Sequence, residues 1–249
     1  DGIDIGSAIG VSIRNDAGGE IRGVSSGISG NNAATIENSG QILGRLGAGI
    51  DLDTAPTAIT TIVNHATGVI RSYGEGESIH VSGLIALTND GVLRKAPSSA
   101  TVLSIGGGTI ENAGSITGYN KTILVSDGHG GAGHGALTLH NSGTITIDTS
   151  LIYAGSAIDI IGNSNDTIVN TGTIFGDIRL GGGNDNVVSG AGQLTGTVHG
   201  EDGDDIIDVG LTGARVWGGD GNDTLTGRGS LYGDGGNDHI VGLVGGSGY

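Results

Sequence analysis

The sequence contains no cysteine, so neither a disulfide framework nor a thiolate metal site can hold the fold together. Proline is nearly absent, with 2 in 249 residues, and aromatics make up only 3%, which removes the large-ring anchors of most globular cores. Basic residues number 10 against 26 acidic ones, a formal net charge of -16. Nucleic acid and anionic membrane surfaces are therefore poor partners, and metal cations good ones. No apolar run approaches the ~20 residues needed to span a bilayer. The opening residues carry neither an initiator Met nor a leader pattern, so the expectation is a start at a processing site or at the edge of a longer chain.

Glycine is abundant at 54 residues, and the apolar fraction of 35% is carried mainly by Ile, Val, Leu and Ala. The glycine has no G-X-Y period, which excludes collagen, and the regular aliphatic content argues against disorder. A repeated β-structure with a tight turn at each corner remains.

One phrase recurs: a β-run, an Asn, a Gly, then another apolar residue. It reads TIENSGQILG at 35–44, ALTNDGVLRK at 86–95, TIENAGSITG at 109–118, LTLHNSGTIT at 137–146 and TIVNTGTIFG at 167–176, with looser copies at 11–23 and 61–72. The aligned residues are Asn15, Asn38, Asn64, Asn89, Asn112, Asn141 and Asn170, spaced by 23, 26, 25, 23, 29 and 29. Within each copy apolar and polar residues alternate, the period of a strand with one buried face. A second run precedes each copy: GIDIG at 2–6, GIDLD at 49–53, SIHVSG at 78–83, TILVSDG at 122–128 and AIDIIG at 157–162. Two or three short strands per ~25 residues, all wound alike, make the coils of a parallel β-helix, right-handed by the crossover preference. The asparagines are either glycan acceptors or a stacked amide ladder. Their regular recurrence favours the ladder, and formal acceptor sequences such as Asn120-Lys121-Thr122 are scarce. This part, residues 1–176, resembles the passenger domains of autotransporter and haemagglutinin-type adhesins.

Residues 177–249 read differently. From 181 onward there are ten acidic residues and only Arg215 and Arg228 as basic ones, and crowded carboxylates repel unless neutralised. The nonapeptide G-G-x-G-x-D-x-U-x, U being a large apolar residue, is matched fully by GGDGNDTLT at 218–226. GDGGNDHIV at 233–241 and GEDGDDIID at 200–208 depart at the second glycine, LGGGNDNVV at 180–188 at the first, and IGNSNDTIV at 161–169 is an eroded copy. This tail resembles the calcium-binding RTX (hemolysin-type) repeat proteins. The resemblance implies several Ca²⁺ ions held by turn carbonyls and the sixth-position aspartates. The metal set it points to is Gly183, Asp185, Gly200, Asp202, Gly203, Asp205, Gly218, Asp220, Gly221, Asp223, Gly233, Gly236 and Asp238, with Asp166 a weak fifth aspartate and Asp204 and Asp234 as possible additions. Intervening half-coils such as 189–198 and 226–233 lack the Asn-Asp pair, which implies calcium along one edge only. The plain alternative is that Gly-Asn-Asp clusters are simply turn formers.

The expected architecture is thus all-β: a right-handed parallel β-helix continuing into an RTX-like calcium-binding β-roll, as one continuous solenoid. The expected role is a secreted, non-enzymatic structural or adhesive protein of a bacterial surface, filament or layer that folds on calcium, with a like copy or a surface polysaccharide as partner. RTX resemblance also implies export by a type I machine. The rival reading is a polysaccharide lyase or epimerase, with Asp4, Asp51, Asp159 and His80 expected to face solvent in one column and Arg71, Tyr73 and Asp53 near them; a third is a trimeric phage spike. His129 and His134 form a weaker transition-metal candidate.

Overall fold

Strands with one apolar face must bury it, and in a computed structural model of the chain they do so by stacking as the coils of a parallel β-helix. The structure describes residues 1–96, 101–126, 135–148 and 155–244. Among these there is no helix, and hence none long and apolar enough to cross a membrane.

Three parallel sheets run along the solenoid. The first has 11 strands, from Ile3–Asp4 to Leu231–Gly235; the second also has 11, from Val11–Asn15 to His239–Gly242; the third has 8, from Glu20–Gly23 to Gln193–Thr195. Each coil therefore has three strands until the third sheet ends, and two thereafter. The runs at 2–6, 49–53, 78–83 and 157–162, with the described part of the run at 122–128, supply strands of the first sheet, and the asparagine phrases build the second and third, as the alternation predicts.

The core follows from the repeat. Ile36, Ile62, Leu87, Ile110, Leu139, Ile168, Val187, Ile207 and Leu225 lie in register across the second sheet, each at most 1% exposed. Burying each such side chain contributes about 1.5–3 kcal/mol. Because every coil offers the next an aliphatic residue at the same place, the core fills without aromatic rings.

At the corner between the second and third sheets the asparagines form the ladder. The Nδ2 group of Asn15 donates to Oδ1 of Asn38 at 2.8 Å, and Asn38, Asn64, Asn89, Asn112 and Asn141 each repeat the bond to the next coil at 2.7–2.8 Å. The amides are buried, so an unmade bond here costs more than a made one gains. Asn170 ends the series by donating to Ser189 Oγ at 2.9 Å. The coil of Ser189 carries the last strand of the third sheet, Gln193–Thr195, and in the coil after it the corner that the ladder pins is gone.

Candidate cation-binding turns

The Gly-Asp nonapeptides occupy the other corner, where the first sheet passes into the second. Their strands set the side-chain direction: with Val187, Ile207 and Leu225 buried, the aspartate two residues earlier also points inward. Asp166, Asp185, Asp205 and Asp223 are 1–2% exposed and form a column inside the solenoid. Asp238, in the last described coil, is half-buried.

Each carboxylate of the column is half satisfied. Oδ1 of Asp185 accepts the backbone N–H of Asp166 at 2.7 Å, Oδ1 of Asp205 that of Asp185 at 2.8 Å, Oδ1 of Asp223 that of Asp205 at 2.9 Å, and Oδ1 of Asp238 that of Asp223 at 3.1 Å. Asp166 takes the N–H of Leu137 in the same way. The second oxygen, Oδ2, of Asp166, Asp185, Asp205 and Asp223 is buried with no hydrogen-bond partner. Withdrawal from water is the largest influence on all four, and it opposes ionisation. The carboxyl of Asp166 is pushed up to about 6, those of Asp185 and Asp205 to about 7, and that of Asp223 upward as well, despite the stabilising backbone bonds. Neighbouring carboxylates add to the rise at Asp185, Asp205 and Asp223.

The glycines explain how these oxygens are housed. A Cβ placed on Gly200, Gly218 or Gly233 would collide with Oδ2 of Asp205, Asp223 or Asp238 respectively. The first motif position thus keeps open the space beside the unsatisfied oxygen. At the fourth position Gly183, Gly203, Gly221 and Gly236 have φ between 118° and 144°, a region that side chains rarely adopt. Their N–H groups hold coils together: Gly183 donates to the carbonyl of Asp202 at 2.8 Å, Gly203 to that of Asp220 and Gly221 to that of Gly235, both at 2.7 Å.

The second motif position shows what the sequence departures do. Gly181 and Gly219 have φ of 85° and 115°, and the copies without glycine keep the same left-handed backbone, with Glu201 at 78° and Asp234 at 68°. The turn geometry wins over the side-chain preference. A strain of roughly 1–3 kcal/mol accompanies such a residue.

Not every expected ligand joins the column. The side chains of Asp202 and Asp220 are exposed, in register with each other at the end of the first sheet; only their carbonyls enter the turn, as acceptors for glycine N–H groups. Asp204 and Asp234 are also exposed. Among the described residues no three acidic or histidine side chains converge on one point, so a cation in these turns would take one buried carboxylate per coil and fill its shell with backbone oxygens. Buried, unpartnered carboxylate oxygens beside glycine-lined space are a donor set of the kind calcium accepts.

The expected solvent column on the first sheet is only partly one. Asp4 is exposed and Asp51 and His80 half-exposed, but Asp159 is 8% exposed and ion-paired with Lys121. Its neighbours in register, Leu124 and Arg179, supply no second carboxylate. Arg71 and Tyr73 lie on and just beyond the third sheet, whereas Asp51 and His80 lie on the first. His129 and His134 are outside the described residues.

Two further ladders escaped the sequence reading. Asn165, Asn184, Asp204, Asn222 and Asn237, one place before each aspartate, form an outer column in which the side-chain oxygens of the first four each accept the backbone N–H of the next member, at 2.7–3.1 Å. On the first sheet His199, Trp217 and Tyr232 stack with ring centroids 4.9 and 5.4 Å apart. The signal was present: these rings are separated by 18 and 15 residues, the intervals that separate Asp205, Asp223 and Asp238.

The fold and its turns define a parallel β-solenoid protein. No family model and no solved structure matches the chain. Among curated proteins it is similar to Deoxyribonuclease CdiA of Dickeya dadantii (strain 3937), 27% identical over 178 residues. That stretch is 66% of this chain but only 4% of the relative's length.

Proposed function

We propose that this chain is a secreted, calcium-binding structural or adhesive β-solenoid whose C-terminal coils close when calcium enters their turns. The observation that carries the reading is the interior column of Oδ2 atoms on Asp166, Asp185, Asp205 and Asp223, buried and without partners. Asp185, Asp205, Asp223 and Asp238 would hold the ions, with carbonyls of the turns that begin at Gly200, Gly218 and Gly233. Calcium supplies positive charge where the chain has collected negative charge, and the glycines leave it room.

Extracellular calcium modules typically bind at ~10⁻⁴–10⁻³ M, so the acidic coils stay open where calcium is scarce and close where it is plentiful. A repetitive solenoid is well suited to spanning distance and presenting a long face, and the similarity to a stretch of a much longer protein fits a segment of such a rod.

Calorimetric titration with calcium, alongside circular dichroism in calcium and in EDTA, tests the reading. Several ions should bind per chain, and chelation should remove β-signal from the coils beyond about residue 180 while the asparagine-ladder coils persist. Absence of binding heat together with an unchanged spectrum in EDTA would overturn it.

A further inference from the structure

The outer face of the third sheet carries a charge pattern opposite to that of the chain. Of only 10 basic residues, Arg22, Arg71 and Arg94 lie on this sheet and Arg45 just beyond it. Arg22, Leu43, Arg71 and Arg94 follow one another in register. Alongside runs a second row past the strand ends, where Arg45 N–H donates to the carbonyl of Gly23 and Tyr73 N–H to that of Gly44.

Between the rows is a groove of about 480 Å³ lined by Arg22, Val24, Leu43, Arg45 and Tyr73. Leu43 forms its floor at 2% exposure, while Val24 and Tyr73 stand 66% and 46% exposed at its sides.

The charges have little internal compensation. Arg22 pairs with Glu20 at 3.0 Å, but among the described residues Arg45, Arg71 and Arg94 have no carboxylate within ion-pair distance. Arg71 and Arg94 are directly opposite each other on adjacent strands, where like charges destabilise. The Arg71 guanidinium lies 4.1 Å above the Tyr73 ring, and its Nε is buried without a hydrogen-bond partner. Glu75 and Glu77 act on the buried Lys95 beneath, and Asp148 closes the far end beside Tyr119. A chain with 26 acidic residues has left these guanidiniums unpaired on one narrow strip.

We propose that this strip binds an extended anionic polysaccharide, whose carboxylate or sulfate groups bridge successive arginines while its sugar rings pack against Tyr73 and the Leu43 groove. The guanidinium fork matches such anions in two-point fashion. Arginines one strand apart, ~4.8 Å, suit a ligand running along the solenoid axis. Width decides against other polyanions: a flat anionic bilayer or a nucleic-acid duplex broad enough to overhang the strip also meets the carboxylates that give the chain its charge of -16. This inference specifies the ligand of the adhesive reading and does not depend on calcium, because the strip belongs to the early three-strand coils.

The test uses the full chain in EDTA over immobilised polygalacturonate, dextran sulfate and uncharged dextran. Binding should occur on at least one of the charged glycans and not on dextran, and weaken with added salt. Arg45→Glu with Arg94→Glu should lower affinity at least tenfold at unchanged melting temperature. Arg45→Gln with Arg94→Gln, which adds no carboxylate, should lower it less but measurably. Arg228→Glu, on an exposed residue of the C-terminal coils, should leave it unchanged. No binding to either charged glycan, an equal loss with Arg228→Glu, or tighter binding to phosphatidylglycerol vesicles than to both glycans would overturn the proposal. Since these measurements are made without calcium, a failed calcium titration would leave their outcome standing.

Discussion

Replacing Asp205 by Asn separates the two things its carboxylate does. The amide oxygen of Asn can still accept the N–H of Asp185, now held at 2.8 Å, so the coil-to-coil bond survives while the charge is removed and a neutral NH2 takes the place of the unpartnered Oδ2. In the calcium-free protein that charge is a burden. The carboxyl ionises at an ordinary 3.8 in the unfolded chain and at about 7 in the coil, chiefly because burial disfavours the anion. Below pH 3.8 both states are protonated and there is no penalty. As the pH rises the unfolded chain releases its proton first, and the folded coil loses stability until the pH passes 7, where the penalty levels off at roughly 4 kcal/mol. For a chain of this size that corresponds to roughly 8–16 °C in melting temperature if the coils melt together. Asp205→Asn in EDTA at pH 8 should therefore keep its C-terminal coils closed to a higher temperature than the parent, whose coils chelation has largely opened, with the gain fading toward pH 4. In saturating calcium the order should reverse, because the parent then has an ion to bind and the variant has lost a ligand. Trp217, the only tryptophan, lies on the strand Arg215–Asp220 just before the turn of Asp223, so its fluorescence reports melting of the relevant coils. A variant whose coils are no more closed than the parent's in EDTA at pH 8 would refute the reasoning, since it would mean that the buried charge is not what opposes closure.

Glu201→Gly should raise stability by about 1 kcal/mol, read as a higher melting temperature, because glycine accepts the φ of 78° without strain; the exposed contact to Arg179 at 3.9 Å that it removes is worth little. Asn64→Ala should destabilise by about 2–5 kcal/mol in chemical denaturation, since it strands the Asn38 donor and the Asn89 acceptor, both buried at 2.8 Å from their partner. Protonation of His199, which burial foremost and Arg179 next hold below its ordinary 6.5, should alter Trp217 emission only at a pH under that value, and His199→Phe should abolish the change while keeping the stack.

The strand alternation, the N-x-G period and the glycine-aspartate nonapeptide are local and repeated, so the sequence alone determined the all-β solenoid, the amide ladder and the alignment of the motif aspartates with one another. A side chain that meets its own counterpart in the next coil leaves its mark as a simple interval, as Asn15 to Asn170 and Asp185 to Asp238 do. Tertiary structure decided what depends on the corner and the face. It turned Asp205 and Asp223 inward but left Asp202 and Asp220 in solvent, though all four belong to the same motif. It buried Asp159 against Lys121, and it separated His80 from Arg71 and Tyr73 on different sheets despite their closeness in sequence. It ended the third sheet after Thr195, and it gathered Arg22, Arg45, Arg71 and Arg94 from four successive coils onto one strip. The physical reason is that a coil's path around its corners, which no single repeat specifies, sets which residues from different coils become neighbours.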